Sequence, residues 1–447
     1  MNCSKTPVFA LALVVMCGAA GAQVPVGWTF EIQCRSSLDA GTPALNLPFP
    51  SSLSSQYVSI GDDGDVAIRV VLGGQEGVFY GQGGVGGMIF TAPVLGDPVW
   101  STTLDLRNGM IAIELGGFGD GAELYDTSGA LLEIFSGGGS EGVSSVSSVT
   151  LASDGAVCYR GDFGSEDKLV IDQFVDGVRT QVSIADTFSG EYSFLFAPEM
   201  NDARQVVTST IPETGPSRRV VRFDSFGVPT TVAETGGMWN AVVNSTAIAQ
   251  NGDVAFSARR TSGSIWEVNH WDGVATTMVA SGDDADIQNG SIANFPPVVN
   301  SNGWVAFRAT DVANDSTAIW VGDGENLVKL IEYGQMIETD LGDLALGVDF
   351  GGFDGRQVTS GAIDINDAGQ VAFSAFLRNG TVGVFVATPV MGCAADLTGE
   401  GDLNFLDVSA FLVAFGNQDS VADFSGEGDF NFLDVSAFLA AFGEGCP

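Results

Sequence analysis

The chain has 447 residues, 55 of them acidic against 17 Lys and Arg, for a formal charge of −38. That imbalance excludes a surface built for nucleic acid or anionic lipid and favours cations. Hydrophobic residues make up 45% and charged residues 16%, with 60 glycines, a composition that folds, that leaves room for more than one domain, and that is too poor in Lys and Glu for long surface helices.

The first 22 residues read as a secretory signal: Lys5, an apolar run from Val8 to Cys17, then small residues ending Ala20-Gly21-Ala22. Ten apolar residues are too few to span a bilayer. Met16 is too bulky to precede a lipidated Cys17. Cleavage after Ala22 removes one lysine and takes the charge from −38 to −39. The mature chain is expected to be secreted, extracellular or associated with a cell surface. Four cysteines then remain, Cys34, Cys158, Cys393 and Cys446. Export permits disulfides, and the expected bridge joins Cys393 to Cys446. For Cys158 two readings stand, a bridge to Cys34 or a small core residue.

From residue 60 a phrase recurs: IGDDGDVAI, DLRNGMIAI, LASDGAVCY, EMNDARQVV, IAQNGDVAF, VNSNGWVAF and INDAGQVAF. Aligned on their small residue, these place Ala67, Ala112, Cys158, Val207, Ala255, Ala306 and Ala372 at steps of 45, 46, 49, 48, 51 and 66. A period of that length marks a repeat architecture, and the long last step marks an insertion, at about 332–360, expected to form a loop over one face. In each copy an Asn, Asp and Gly turn leads into an alternating strand, followed by two more strand and turn signals. Four strands in each of seven copies predict a seven-bladed β-propeller over residues 23–390, a solenoid or a pair of sandwiches being the alternatives. Residues 28–35 are placed to supply a strand that closes the ring with the last blade.

The repeat resembles the tandem Asn-x-x-Gly-x-x-Ala-Phe repeats of secreted bacterial proteins. Asn300, Gly303, Ala306 and Phe307 match in full, as do Asn366, Gly369, Ala372 and Phe373, whereas Arg204 stands where a turn glycine belongs. The resemblance covers residues 50–390 and implies no activity.

Residues 391–447 form a second unit. DLTGEGDLNFLD at 396 returns 27 residues later as DFSGEGDFNFLD. Oxygen-bearing side chains at positions 1, 3, 5, 9 and 12, with glycine at 6, have the layout of a calcium loop. Asp396, Thr398, Glu400, Asn404 and Asp407, with the Asp402 carbonyl, form one expected ligand set; Asp423, Ser425, Glu427, Asn431 and Asp434, with the Asp429 carbonyl, form the other. Hard oxygen donors suit two Ca2+ ions. Helices follow each loop, with apolar stripes at Val408, Phe411, Leu412 and Phe415 and at Val435, Phe438, Leu439 and Phe442. Ten acids and no Lys or Arg lie between Cys393 and Cys446, so cation binding should be coupled to folding of this small unit. A calcium loop and helix, duplicated and without an entering helix, resembles a dockerin, and Gly392-Cys393 is similar to a cysteine-bracketed bacterial subfamily. The resemblance implies a cohesin-like partner, with Phe405, Leu406, Phe432 and Leu433 near the recognition surface. Thr398 and Ser425 depart from the usual Asn or Asp, and Glu400 and Glu427 from Asp, so weaker calcium affinity is expected.

No catalytic residue is singled out. His270 is the only histidine and reads as an exposed strand-end residue. GQGGVGG at 81 lies between two strand patterns, which excludes a phosphate loop opening a helix. The acids at 62, 63 and 65 and at 283, 284 and 286 read as turn residues. Trp239, Trp266, Trp271, Trp304 and Trp320 either pack between blades or stack on sugar rings. The reading is a secreted, non-enzymatic binding or structural protein with a polysaccharide or surface-protein ligand and a calcium-dependent attachment tail. The alternative is a carbohydrate-active enzyme delivered by its dockerin, which would require inward-facing carboxylates in a Trp-lined pocket.

Overall fold

The computed structural model describes residue 25 and residues 27–447, apart from 73–74, 93–102, 115–120, 136–142, 165, 176–177, 352–354, 394, 400–401, 426–427 and 446–447. The expected signal segment lies outside the described residues.

Seven antiparallel sheets follow one another in chain order as the blades of a β-propeller. The first spans Ser52–Ile60, Val66–Leu72, Gln75–Gln82 and Val85–Ala92, from the innermost strand outward. The last is built from Thr359–Ile365, Val371–Phe376 and Val382–Val390, and its outermost place is taken by Gly27–Arg35. Gly27 pairs with Val390 and Arg35 with Gly383, so the first strand of the chain completes the last blade and excludes an open solenoid.

The repeat phrase is the hairpin between the first and second strands of each blade, and its Asn has two tasks. Asn366 Oδ1 accepts the Gln370 N–H at 2.9 Å and closes its own turn. Its amide donates to the Gly61 carbonyl of the first blade at 3.0 Å. Asn300 and Asn201 do the same, reaching Asn366 O and Ala249 O at 3.1 Å. Further turn contacts, from Asn108 to Ser153 O, Ser153 N to Asp202, Asp202 N to Gln250 and Asn251 to Ser301 O, carry the linkage from blade to blade. Arg204 adopts φ +62° where the other copies use glycine. A left-handed residue costs about 1–2 kcal/mol, offset here by a pair with Asp154 at 2.6 Å and a bond to Gln173 at 3.2 Å.

Three expectations are corrected. Cys34 and Cys158 are both free thiols, buried in different inter-blade cores, and do not pair; burial pushes both thiols up. Cys158 is thus the small core residue. The insertion is more than a loop over one face, because Ile337, Leu346 and Val358 enter the core between the sixth and seventh blades. It is also clamped by the buried Arg35, whose Nε and Nη2 donate to Asp340 at 2.9 and 2.6 Å. Finally, Leu412 and Leu439 face solvent, where the stripes had placed them inward.

The described tail holds two α-helices, Phe405–Asn417 and Phe432–Glu444. Among the described residues no helix is long and apolar enough to cross a membrane. Phe411 stacks on Phe438 with centroids 4.1 Å apart, and Val408, Phe415, Val435 and Phe442 pack around the pair. Asn404 and Asn431 cap the helices, each in a reciprocal box with Asp407 or Asp434.

Asn366→Ala removes a blade-to-blade bond and the acceptor of the Gln370 N–H, while the Gly61 carbonyl keeps the Gly64 N–H, so it should cost about 1–3 kcal/mol. Chemical denaturation should show a lower midpoint at unchanged slope. Native Cys34 and Cys158 should resist a thiol reagent and react only after unfolding.

Candidate functional site

In every blade the small residue of the repeat pairs across the ladder with one innermost-strand position: Ser59 with Ala67, Asp105 with Ala112, Thr150 with Cys158, Glu199 with Val207, Ala247 with Ala255, Val298 with Ala306 and Asp364 with Ala372. The register therefore brings seven equivalent residues to the propeller axis. Residues from all seven innermost strands, among them Ser59, Asp105, Glu199, Ala247, Val298 and Asp364, line a common axial cavity.

The ring is polar on one side and apolar on the other. Ser59 Oγ bridges Asp364 Oδ2 at 3.2 Å and Asp105 Oδ1 at 3.3 Å. Thr150 Oγ1 donates to Asp105 Oδ2 at 3.0 Å and is also hydrogen-bonded to Glu199. Carboxyl and hydroxyl groups thus alternate over five consecutive blades, while Ala247 and Val298 form the remaining arc. Backbone N–H groups of Leu151 and Ile60 hold Asp105 and Asp364 at 2.7 and 3.0 Å. Arg107 lies 4.0 Å from Asp105.

Glu199 opens onto the axial lumen but is walled by protein. Burial, then the charges of Asp105 and Asp364, push its carboxyl up to about 8. Burial raises Asp364 to about 6, against the opposing pull of Arg107. Burial also works against the charge of Arg107, but Asp105 and Asp364 outweigh it and hold the guanidinium above its usual range. Carboxyls whose environments differ in this way can divide the roles of proton donor and acceptor. The signal for this ring was present in the sequence, seven or eight positions before each small residue, but only the closed ring shows that those positions meet.

The indoles do not line this cavity. Trp239, Trp271, Trp304 and Trp320 are between 4 and 8% exposed and pack in the blades; Trp266 is half-buried elsewhere. His270 is not exposed, as its Nε2 lies 2.9 Å from Asp253 Oδ2. GQGGVGG forms the hairpin between Gln75–Gln82 and Val85–Ala92, with Gly83 and Gly84 both at positive φ.

In the tail, loop positions 1, 3 and 12 come together. Thr398 Oγ1 is 3.2 Å from Asp396 Oδ1 and 2.7 Å from Asp407 Oδ1. In the second loop Ser425 Oγ is 3.4 Å from Asp423 Oδ1 and 2.7 Å from Asp434 Oδ1. The Asn404 and Asn431 amides lie 3.3 Å from the Asp402 and Asp429 carbonyls, while their own side-chain oxygens cap the helices. Glu400 and Glu427 lie outside the described residues. Among those described, no three Asp, Glu, His or Cys side chains form a metal cluster; each loop gathers two carboxylates and a hydroxyl. The Asn404 N–H, then Thr398, hold Asp407 below the usual carboxylate range. The Asn431 and Ser425 N–H groups lower Asp434 to about 2. Both carboxylates are therefore charged and positioned.

Residues 127–391 match a family described as a family of unknown function (DUF7453), and the chain belongs to that family. No curated protein matches the chain. Among solved structures it is similar to an oligogalacturonate lyase in complex with manganese, at 12% identity over 81% of this chain and 97% of that one, with a TM-score of 0.51. It also aligns with the polysaccharide lyase Uly1 at 8% identity over 82% and 98%, TM-score 0.45. The Dos1 propeller aligns at 13% identity over 81% and 95%, TM-score 0.39. At such identities the likeness is one of fold alone.

Folded Glu199 keeps its proton to about pH 8, whereas an unfolded Glu releases it near 4.3. The folded state binds more protons across that window, so stability should fall as pH rises from about 5 through about 8. Asp364 adds to the fall below about 6. Thermal midpoints against pH should flatten above pH 6 in Glu199→Gln; an unchanged slope would remove Glu199 as its source.

Proposed function

We propose that this is a secreted, non-enzymatic binding or structural protein, whose propeller presents a ligand surface and whose tail attaches, through two Ca2+ ions, to a cohesin-like partner. The observation that carries the attachment is the convergence, in both loops, of a hydroxyl on the carboxylates of positions 1 and 12. A cation there would relieve repulsion among the acids. Asp396, Thr398 and Asp407 would hold one ion and Asp423, Ser425 and Asp434 the other, with Glu400, Glu427, the Asp402 and Asp429 carbonyls, Asn404 and Asn431 as further ligands. Asn404 and Asn431 would have to share their side-chain oxygens with the helix caps.

Helix order then presents a partner surface. Phe405 and Phe432 are each 78% exposed, with Leu406 and Leu433 beside them, an apolar patch of the kind that marks interaction sites. The near-equivalence of the helices permits two docking orientations. Cys393 is disulfide-bonded, which supports an exported protein; Cys446, outside the described residues, is its proposed partner.

A carbohydrate-active enzyme is the second reading, favoured by the raised Glu199 carboxyl beside Asp105 and Asp364. Among the described residues no indole lines the axial cavity, which ranks it below the first. It would require reducing-end release from a polysaccharide that Glu199→Gln abolishes.

Calorimetric titration of the metal-free full chain should register two calcium ions. Asp407→Ala and Asp434→Ala should each remove one, and the double variant both. A chain that takes up no calcium, or a double variant that binds as before, would overturn the attachment.

A further inference from the structure

A second cavity, of about 560 Å³, opens between the fourth, fifth and sixth blades and shares Pro296 with the axial one. Its size is that of a small-molecule site. Along its wall the innermost strand Trp239–Ile248 leaves ladder register between Val242 and Thr246. Such a bulge re-aims side chains, and here Asn244 lines the cleft with no hydrogen bond among the described residues. Asn240, Ser217, Trp266 and Phe295 line it as well.

The charge of this cleft runs against that of the molecule. In a chain where acids outnumber Lys and Arg 55 to 17, no Asp or Glu among the described residues lines it. Arg218 does, and its guanidinium lies over the Phe196 ring at 4.4 Å with no carboxylate partner among the described residues. Arg259 stands behind the wall, 5.7 Å over Trp266, with Nε donating to Asn240 Oδ1 at 2.7 Å. Arg308 lies 3.4 Å over Phe295 and donates to the Gly361 and Thr359 carbonyls, its buried Nε unpartnered. Neither Arg259 nor Arg308 meets a carboxylate among the described residues. Burial without a counter-charge lowers Arg218, and lowers Arg308 to about 9.

We infer that this cleft binds a carboxylated saccharide: the sugar carboxylate lies on Arg218, a ring face on Trp266, and hydroxyls on the Asn240 and Asn244 amides. A guanidinium presents a fork matched to a carboxylate. Trp266 is more open than the four indoles buried in the blades, and an aromatic plane flanked by amides suits a ring with one apolar face and a hydroxyl edge. The assignment names the ligand class of the propeller and rests on the reading of the ring as a binding domain.

The test is calorimetric titration of the full chain with a glucuronate tetrasaccharide and with its carboxyl-reduced, neutral counterpart. The acidic sugar should bind, more weakly as salt is added, and the neutral one should not. Arg218→Gln should weaken binding about tenfold or more, as loss of a charge-assisted bond does, with little change in thermal midpoint, because among the described residues the guanidinium makes no ion pair and its ring contact with Phe196 is a modest one. Asn244→Ala, on the exposed bulge, should weaken it less. The Asp407→Ala, Asp434→Ala chain should bind the sugar as wild type does, which separates this inference from the calcium-dependent tail. Failure to bind the acidic sugar, equal binding of the neutral one, or wild-type affinity in both the Arg218 and Asn244 variants would overturn it.

Discussion

The propeller depends on a hoop of hydrogen bonds that runs from turn to turn around one face of the ring. Each blade exposes a hairpin whose backbone needs partners, and the residue that closes it, or its neighbour, reaches the turn of the next blade. Ser59 completes the circle by accepting the Leu106 N–H at 3.0 Å. Single bonds of this kind contribute only about 1 kcal/mol each. Their value lies in register: a blade that slipped by one residue would turn its small residue from the neighbouring blade to the other face.

That register decides what the axis contains. The residue opposite each small position has no choice but to face the centre, so the chemistry of the channel is written by seven side chains about one blade apart in sequence. Five of them make a chain of carboxyls and hydroxyls; two leave an apolar arc. Burial, with the neighbouring carboxyls adding to it, holds the Glu199 carboxyl in its protonated form at neutral pH. The outcome is a walled, proton-retaining channel at the centre of a molecule whose surface is strongly acidic, beside a cleft whose uncompensated guanidinium groups have the opposite sign.

The tail solves a different problem. Its two helices have too small a core to be self-sufficient, and it concentrates Phe411, Phe424, Phe438 and their neighbours into one aromatic cluster. Asp407 and Asp434 tie each helix start to the loop before it. Helix geometry and loop closure therefore use the same carboxylates, which is why anything that engages those carboxylates also acts on the helices.

Much of the fold was legible in the residues because the signals are local. Asn, Asp and Gly at fixed places in a tight turn, an alternating strand after it, and seven copies of the pattern suffice for seven blades, and residues 28–35 are sufficient to close them. The tail helices are equally plain from the stripes that follow each loop, although each starts inside its loop, at Phe405 or Phe432, and runs one residue past Gly416 or Gly443. What escaped depends on contacts between distant blades. Cys34 and Cys158 could be read as a pair until the ring assigned them to separate cores. The insertion looked like a loop until Leu346 and Val358 were seen to fill a gap between two blades. His270 found Asp253, and Leu412 and Leu439 were turned outward because Phe411 and Phe438 took the contact between helices. Local spacing determined the elements and their number; only closure of the ring decided which side chains, some 45 residues apart or more, share the axis and the cleft, because that proximity is a property of the circle and not of any one segment.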